Sequence, residues 1–127
     1  MRGYIRATAS TVGAGVARGG GNPDLQRNAI KHLGISGDAR SLELLNELYG
    51  TLSDPVLKRA VLESFLIADD EKHLFALARA EKNPEMRREV VRVMGPVGAV
   101  PQLLELYKSE TSTDVKQEIL NSLGIAD

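Results

Sequence analysis

The sequence predicts an all-α fold, a solenoid of about three and a half stacked helix-turn-helix repeats, and three observations predict it. One phrase recurs: NPDLQRNAI from Asn22 returns as DPVLKRAVL from Asp54 and as NPEMRREVV from Asn83. Each copy opens on Asn or Asp followed by Pro, a pair that starts helices. Aromatic residues make up only 4% of the 127 residues and there is no Trp, so the core must be built from Leu, Val, Ile and Ala, which suit close-packed helices.

The first helix of each repeat follows from columns aligned on Pro23, Pro55 and Pro84. Leu25, Leu57 and Met86 share one column, Ala29, Val61 and Val90 another, then Ile30, Leu62 and Val91, then Leu33, Phe65 and Met94. The register continues from Ser112, where Thr113 replaces Pro and Val115, Ile119, Leu120 and Leu123 fill the columns. Steps of three and four residues put these side chains on one buried helix face. Asn22, Asp54 and Asn83 read as N-caps, with Pro at the first helical position, where its missing amide hydrogen costs nothing. Gly34, Gly95 and Gly124 fall after the last apolar column and read as left-handed C-caps.

A second helix follows in each repeat. Leu45 and Leu48 match Leu74 and Leu77, and then Leu103 and Leu106, each pair one turn apart, with Tyr49 and Tyr107 closing the same stretch. The anchors are 32, 29 and 29 residues apart, and the extra three residues are expected in the connection from Gly34 to Leu42. The repeats are therefore 22–53, 54–82 and 83–111, with a half-repeat at 112–127. A helical pair of this size cannot bury its apolar face alone, so the pairs are expected to stack on one continuous core.

The phrase Asn/Asp, Pro, x, apolar, Lys/Arg, followed by an apolar helix face and Leu-Gly, resembles the HEAT repeat in its short bacterial form, which includes the phycobilin-lyase-like subgroup. The resemblance covers Asn22 to Asp127. It implies a right-handed α-α superhelix whose first helices form the convex side and whose second helices line a concave, partner-binding side.

Residues 1–21 stand apart as a leader. They carry three of the sixteen basic residues and none of the seventeen acids, so the leader is positive, the rest negative, and the net charge is -1. Such a total creates no global field for nucleic acid or anionic membrane. The leader reads either as a degenerate half-repeat, with a second helix over 10–17, or as disorder. Neither end shows a polar capping unit, which fits a segment of a longer array or complementary half-repeats that join chains into a homo-oligomer. No apolar run approaches the roughly 20 residues needed to cross a bilayer, so membrane insertion is not expected. The expected location is cytoplasmic. Export stays open, because the lack of cysteine says little about compartment.

Nothing forms a catalytic constellation, and no cofactor or metal is expected. His32 lies near a first-helix C-terminus, where a cationic side chain meets the negative end of the dipole. Asp69, Asp70 and Glu71 before His73 read as an N-cap with an acidic first turn, because three consecutive acids cannot face one ion. Leu33 and Leu74 follow the two histidines, so the His-Glu pairs of HEAT-like iron hydroxylases are missing. No nucleophile elbow surrounds any serine, and neither GAG nor GGG is a phosphate loop. Lys58, Arg87 and Lys116 share a column that could form a ladder against phosphates. Interleaved Glu63, Glu85, Glu89 and Glu118 argue instead for structural bonds, so nucleic acid is not an expected ligand.

The second helices are the better candidates. Tyr49, Phe75, Leu104 and Tyr107 lie about a quarter-turn from the main core face, framed by Glu47, Lys72 and Glu105. They read either as inter-repeat core or as interface anchors. The expected function is a non-catalytic scaffold binding a protein or peptide through this face. The alternatives are an accessory module of a lyase-like or nucleic-acid-associated enzyme assembly and a self-associating solenoid fragment.

Overall fold

The computed structural model describes residues 22–124; they are 82% helical, contain seven helices and have no strand. The leader over 1–21 and the final 125–127 lie outside the described residues, and with them the readings of a degenerate half-repeat or disorder. The helices are α1 (Pro23–Ser36), α2 (Ala39–Thr51), α3 (Pro55–Ile67), α4 (Glu71–Ala80), α5 (Pro84–Val97), α6 (Val100–Ser109) and α7 (Thr113–Ser122). The fold is all-α.

The helix starts follow from the repeated phrase. Asn22, Asp54 and Asn83 each accept a hydrogen bond from the amide two residues on, and Pro23, Pro55 and Pro84 occupy the first turn. Ser112 caps α7 by accepting from the Val115 amide. Asp38 caps α2, and the Ser36 hydroxyl together with the Ser41 amide holds its carboxyl below the usual carboxylate range. Asp70 caps α4 by accepting from the His73 amide, and its other oxygen lies 2.5 Å from His73 Nδ1.

The helix ends depart from expectation. Gly34 and Gly95 lie inside α1 and α5, and the left-handed positions are Gly37 (φ 63) and Gly98 (φ 81), three residues later. Only Gly124, at φ 74, has the left-handed conformation expected of all three. Gly34 and Gly95 serve close packing instead, as their neighbours show below.

The three-residue insertion falls within the expected stretch from Gly34 to Leu42, at residues 39–41, but as helix rather than as a longer connection. Pro23 to Ala39, Pro55 to Glu71 and Pro84 to Val100 are the same distance along the chain, so the connection is not lengthened. The second helix takes the insertion: α2 has 13 residues where α4 and α6 have 10. Three residues are close to one helical turn, so the helix lengthens while Leu45 and Leu48 keep their face. Both leucines are buried, as are Leu74, Leu77, Leu103 and Leu106.

The chain divides into two compact units, ending and beginning at Ala68 and Asp69, inside the second repeat. At this division Asp69 turns the backbone at φ 56. In the first unit α1 packs mainly along α3, and α2 lies against both. In the second unit α5 packs mainly along α7, α4 lies against α5 and α6, and α6 against α7.

Each first helix is thus covered by the second helix before it, and this decides one column. Leu57, Met86 and Val115 are buried, with α2, α4 and α6 packed on their respective helices. Leu25 in the same column is 59% exposed, because no second helix precedes α1 among the described residues. The expectation that Leu25 is core is corrected accordingly.

Candidate partner-binding face

The second helices present three aromatic residues with three degrees of burial. Tyr49 in α2 belongs to the core of the first unit at 5% exposure, so it is unavailable as an interface anchor. Its hydroxyphenyl ring is covered by Lys58, whose Nζ lies 4.8 Å from the ring centre. Phe75 in α4 is half-buried, with the Arg79 guanidinium 5.4 Å from its ring centre. Tyr107 in α6 is 38% exposed, and Lys116 Nζ stands 5.8 Å from its ring centre. All three pairs are within cation-π range.

Lys58 and Lys116 therefore use their column to cover a tyrosine of the preceding second helix. Arg87, in the same column, does something different. Its Nε and Nη2 donate to Glu110 at 2.8 and 2.7 Å, and its Nη1 donates to the carbonyls of Glu81 and Lys82. Glu110 also accepts from the amides of Thr111 and Ser112. Burial would raise the Glu110 carboxyl, but the Arg87 hydrogen bonds and these amides outweigh it and hold it below its usual range. The same bonds raise Arg87. This bidentate pair ties the end of α4, the first turn of α5 and the α6–α7 loop together within one unit.

On α6, Val100, Leu104 and Tyr107 are 48%, 49% and 38% exposed. Their spacing of four and three residues aligns them on one helix face, so α6 has an apolar row in solvent about a quarter-turn from its buried Leu103 and Leu106. Phe75 occupies on α4 the register position that Leu104 occupies on α6, and these two helices pack together. Lys72 and Glu105 are exposed on the same two helices. Glu47 is exposed on α2 of the first unit. Val100 escaped the sequence reading because it precedes the matched leucines, at a register position where α4 has Glu71.

Two depressions occur away from this row. One, of about 350 Å³, lies between α1 and α3, with Arg27 and Lys31 near Glu63 and Ile67. The other, of about 300 Å³, lies at the ends of α4 and α6, where the Arg87 guanidinium is already bonded to Glu110. Among the described residues no group of three or more His, Asp or Glu is placed to hold a metal ion, and no helix is long and apolar enough to cross a membrane. The chain matches no protein-family model, no curated protein and no solved structure.

Proposed function

We propose that the chain is a non-catalytic α-solenoid scaffold similar to HEAT repeats, and that it binds a protein or peptide through its second helices. Support for the solenoid comes from the recurring packing inside each unit, where a first helix lies along the next first helix and a second helix leans on both. The binding reading rests on one observation, the exposed row Val100, Leu104 and Tyr107 on α6. An apolar helix face left in solvent, rimmed by polar residues, is the usual material of an interaction site. The binding set is Phe75, Leu104 and Tyr107 with Val100 added, framed by Lys72 and Glu105; Tyr49 leaves the set because it is core.

A photo-cross-linking side chain placed at Leu104 tests this reading against one placed at Ile67, an equally exposed first-helix position. Adducts with a partner are expected from position 104 and not from position 67. Equal labelling from both would sink the reading. Phe75→Ala combined with Tyr107→Ala should weaken partner binding with helicity unchanged; a loss of helicity would assign both side chains to the core.

A further inference from the structure

We infer that the face formed by α4 and α6 takes a short acidic amphipathic helix of a partner protein, its apolar row seated on Val100, Leu104 and Tyr107. This rests on the partner-binding reading and adds the chemistry of the partner to it.

Size argues for a short segment. The row from Val100 to Tyr107 runs about 10 Å along the helix, the length of two turns. A stable homodimer needs about 800 Å² from each partner. Three half-exposed side chains on one helix supply only a fraction of that, so a second copy of the chain is the wrong occupant. An amphipathic helix with residues at matching three- and four-residue steps covers such a row completely.

Charge argues for acid. Lys72 and Arg79 are exposed seven residues apart on α4, and so on one face; Lys108 and the half-buried Lys116 stand beside Tyr107. The two helices themselves expose three cations, Lys72, Arg79 and Lys108, against two acids, Glu71 and Glu105, and α7 adds Lys116 over the Tyr107 ring. Glu105 meets Lys108 at 3.6 Å, with both side chains largely in water, a pair that a better partner can replace. Arg79 and Lys116 already cover the rings of Phe75 and Tyr107, so the aromatic faces that could receive a cationic partner are occupied by cations of this chain. The equivalent helix of the first unit has the opposite character, since α2 exposes Arg40 with Glu43 and Glu47 and buries its tyrosine. The basic, apolar combination is a property of the second unit's second helices alone among those described.

The test uses two labelled synthetic helical peptides with the same leucine row, one carrying Glu and the other Lys at every polar position. Fluorescence anisotropy with the full chain at low salt is expected to show the Glu peptide binding at least tenfold more tightly, with the advantage shrinking as salt is added. Leu104→Ala combined with Tyr107→Ala should abolish binding with the circular dichroism spectrum unchanged. Lys72→Glu, Arg79→Glu and Lys108→Glu together should reverse the preference between the peptides. Equal binding of both peptides, lost together in the Leu104/Tyr107 variant, overturns the acidic partner and leaves the apolar docking reading standing. Binding of the Glu peptide that survives that variant overturns the proposal in favour of plain charge adsorption. Failure of both peptides to bind also overturns it, and cross-linking from position 104 then decides the broader reading separately. Self-association of the free chain that Leu104→Ala and Tyr107→Ala abolish would make a second copy the occupant and end the proposal.

Discussion

The two units pack their first helices by the same device and close it to different depths. In the first, α1 meets α3 where Gly34 faces Ser64; in the second, α5 meets α7 where Gly95 faces Ser122. A methyl group added at Gly34 would stand 2.5 Å from Ser64 Cβ and 2.7 Å from its Cα, whereas one added at Gly95 would stand 3.3 Å from Ser122 Cβ. The serines differ accordingly. Ser64 is 1% exposed, and its hydroxyl lies within hydrogen-bonding distance of the carbonyls of Ile30 and Ala60. Ser122 is half-buried and donates to the Val91 carbonyl. One repeated motif thus makes a sealed crossing in one unit and a looser one in the other. At the column where the first unit has Lys58 over Tyr49, the looser unit has the bidentate Arg87–Glu110 pair.

The largest expected difference between the units lies at their equivalent tyrosines. Tyr49→Ala removes a buried ring and should cost about 3 to 5 kcal/mol, while Tyr107→Ala, at an exposed site, should cost about 0.5 kcal/mol. Urea unfolding followed by helicity reads both, and equal costs would refute the assignment of one tyrosine to core and the other to surface.

Next come the crossings. Gly34→Ala should destabilise by about 3 kcal/mol through overpacking, and Ser64→Gly should not rescue it, because the Ser64 Cα and carbonyl oxygen, at 2.7 and 2.9 Å, still obstruct the methyl group. Gly95→Ala should be close to neutral: a shift of a few tenths of an ångström relieves the contact, and alanine gains about 1 kcal/mol over glycine within a helix. Thermal melts of the two variants give the comparison directly.

A smaller difference depends on pH. Glu110 has a lowered folded-state value, so its contribution is present above its ordinary value of 4.5 and is lost as pH falls through the lowered value. Glu110→Gln should cost about 2 kcal/mol at neutral pH by leaving the Arg87 guanidinium unpaired. The wild type should approach the variant's stability in acid. The smallest effect is expected for Lys116→Met, about 0.5 kcal/mol for one exposed cation-π contact.

Much of this was legible in the sequence. The caps, the proline starts and the buried leucines of the second helices follow from short-range rules, since a cap bonds two or three residues away and a helix face repeats every three or four. The errors arose where a position answers to another repeat. Gly34 and Gly95 stand in a column with Gly124, which suggested one shared role, but two of them exist to admit a serine from the next first helix. That serine sits two columns earlier, so aligning like with like hides the pair. Tyr49 and Tyr107 stand in one column as well, and only their surroundings separate an interior ring from an exposed one.

The sequence by itself determined where helices begin, which faces are apolar and that the fold is all-α, because hydrogen bonds and hydrophobic periodicity of short range suffice for these. Tertiary structure decided how deeply each glycine is approached, which tyrosine is buried and which cation finds a carboxylate or a ring. Those outcomes depend on side chains 20 to 30 or more residues distant, as with Arg87 and Glu110 or Ile30 and Ser64, and no pattern local to either partner encodes the distance between them.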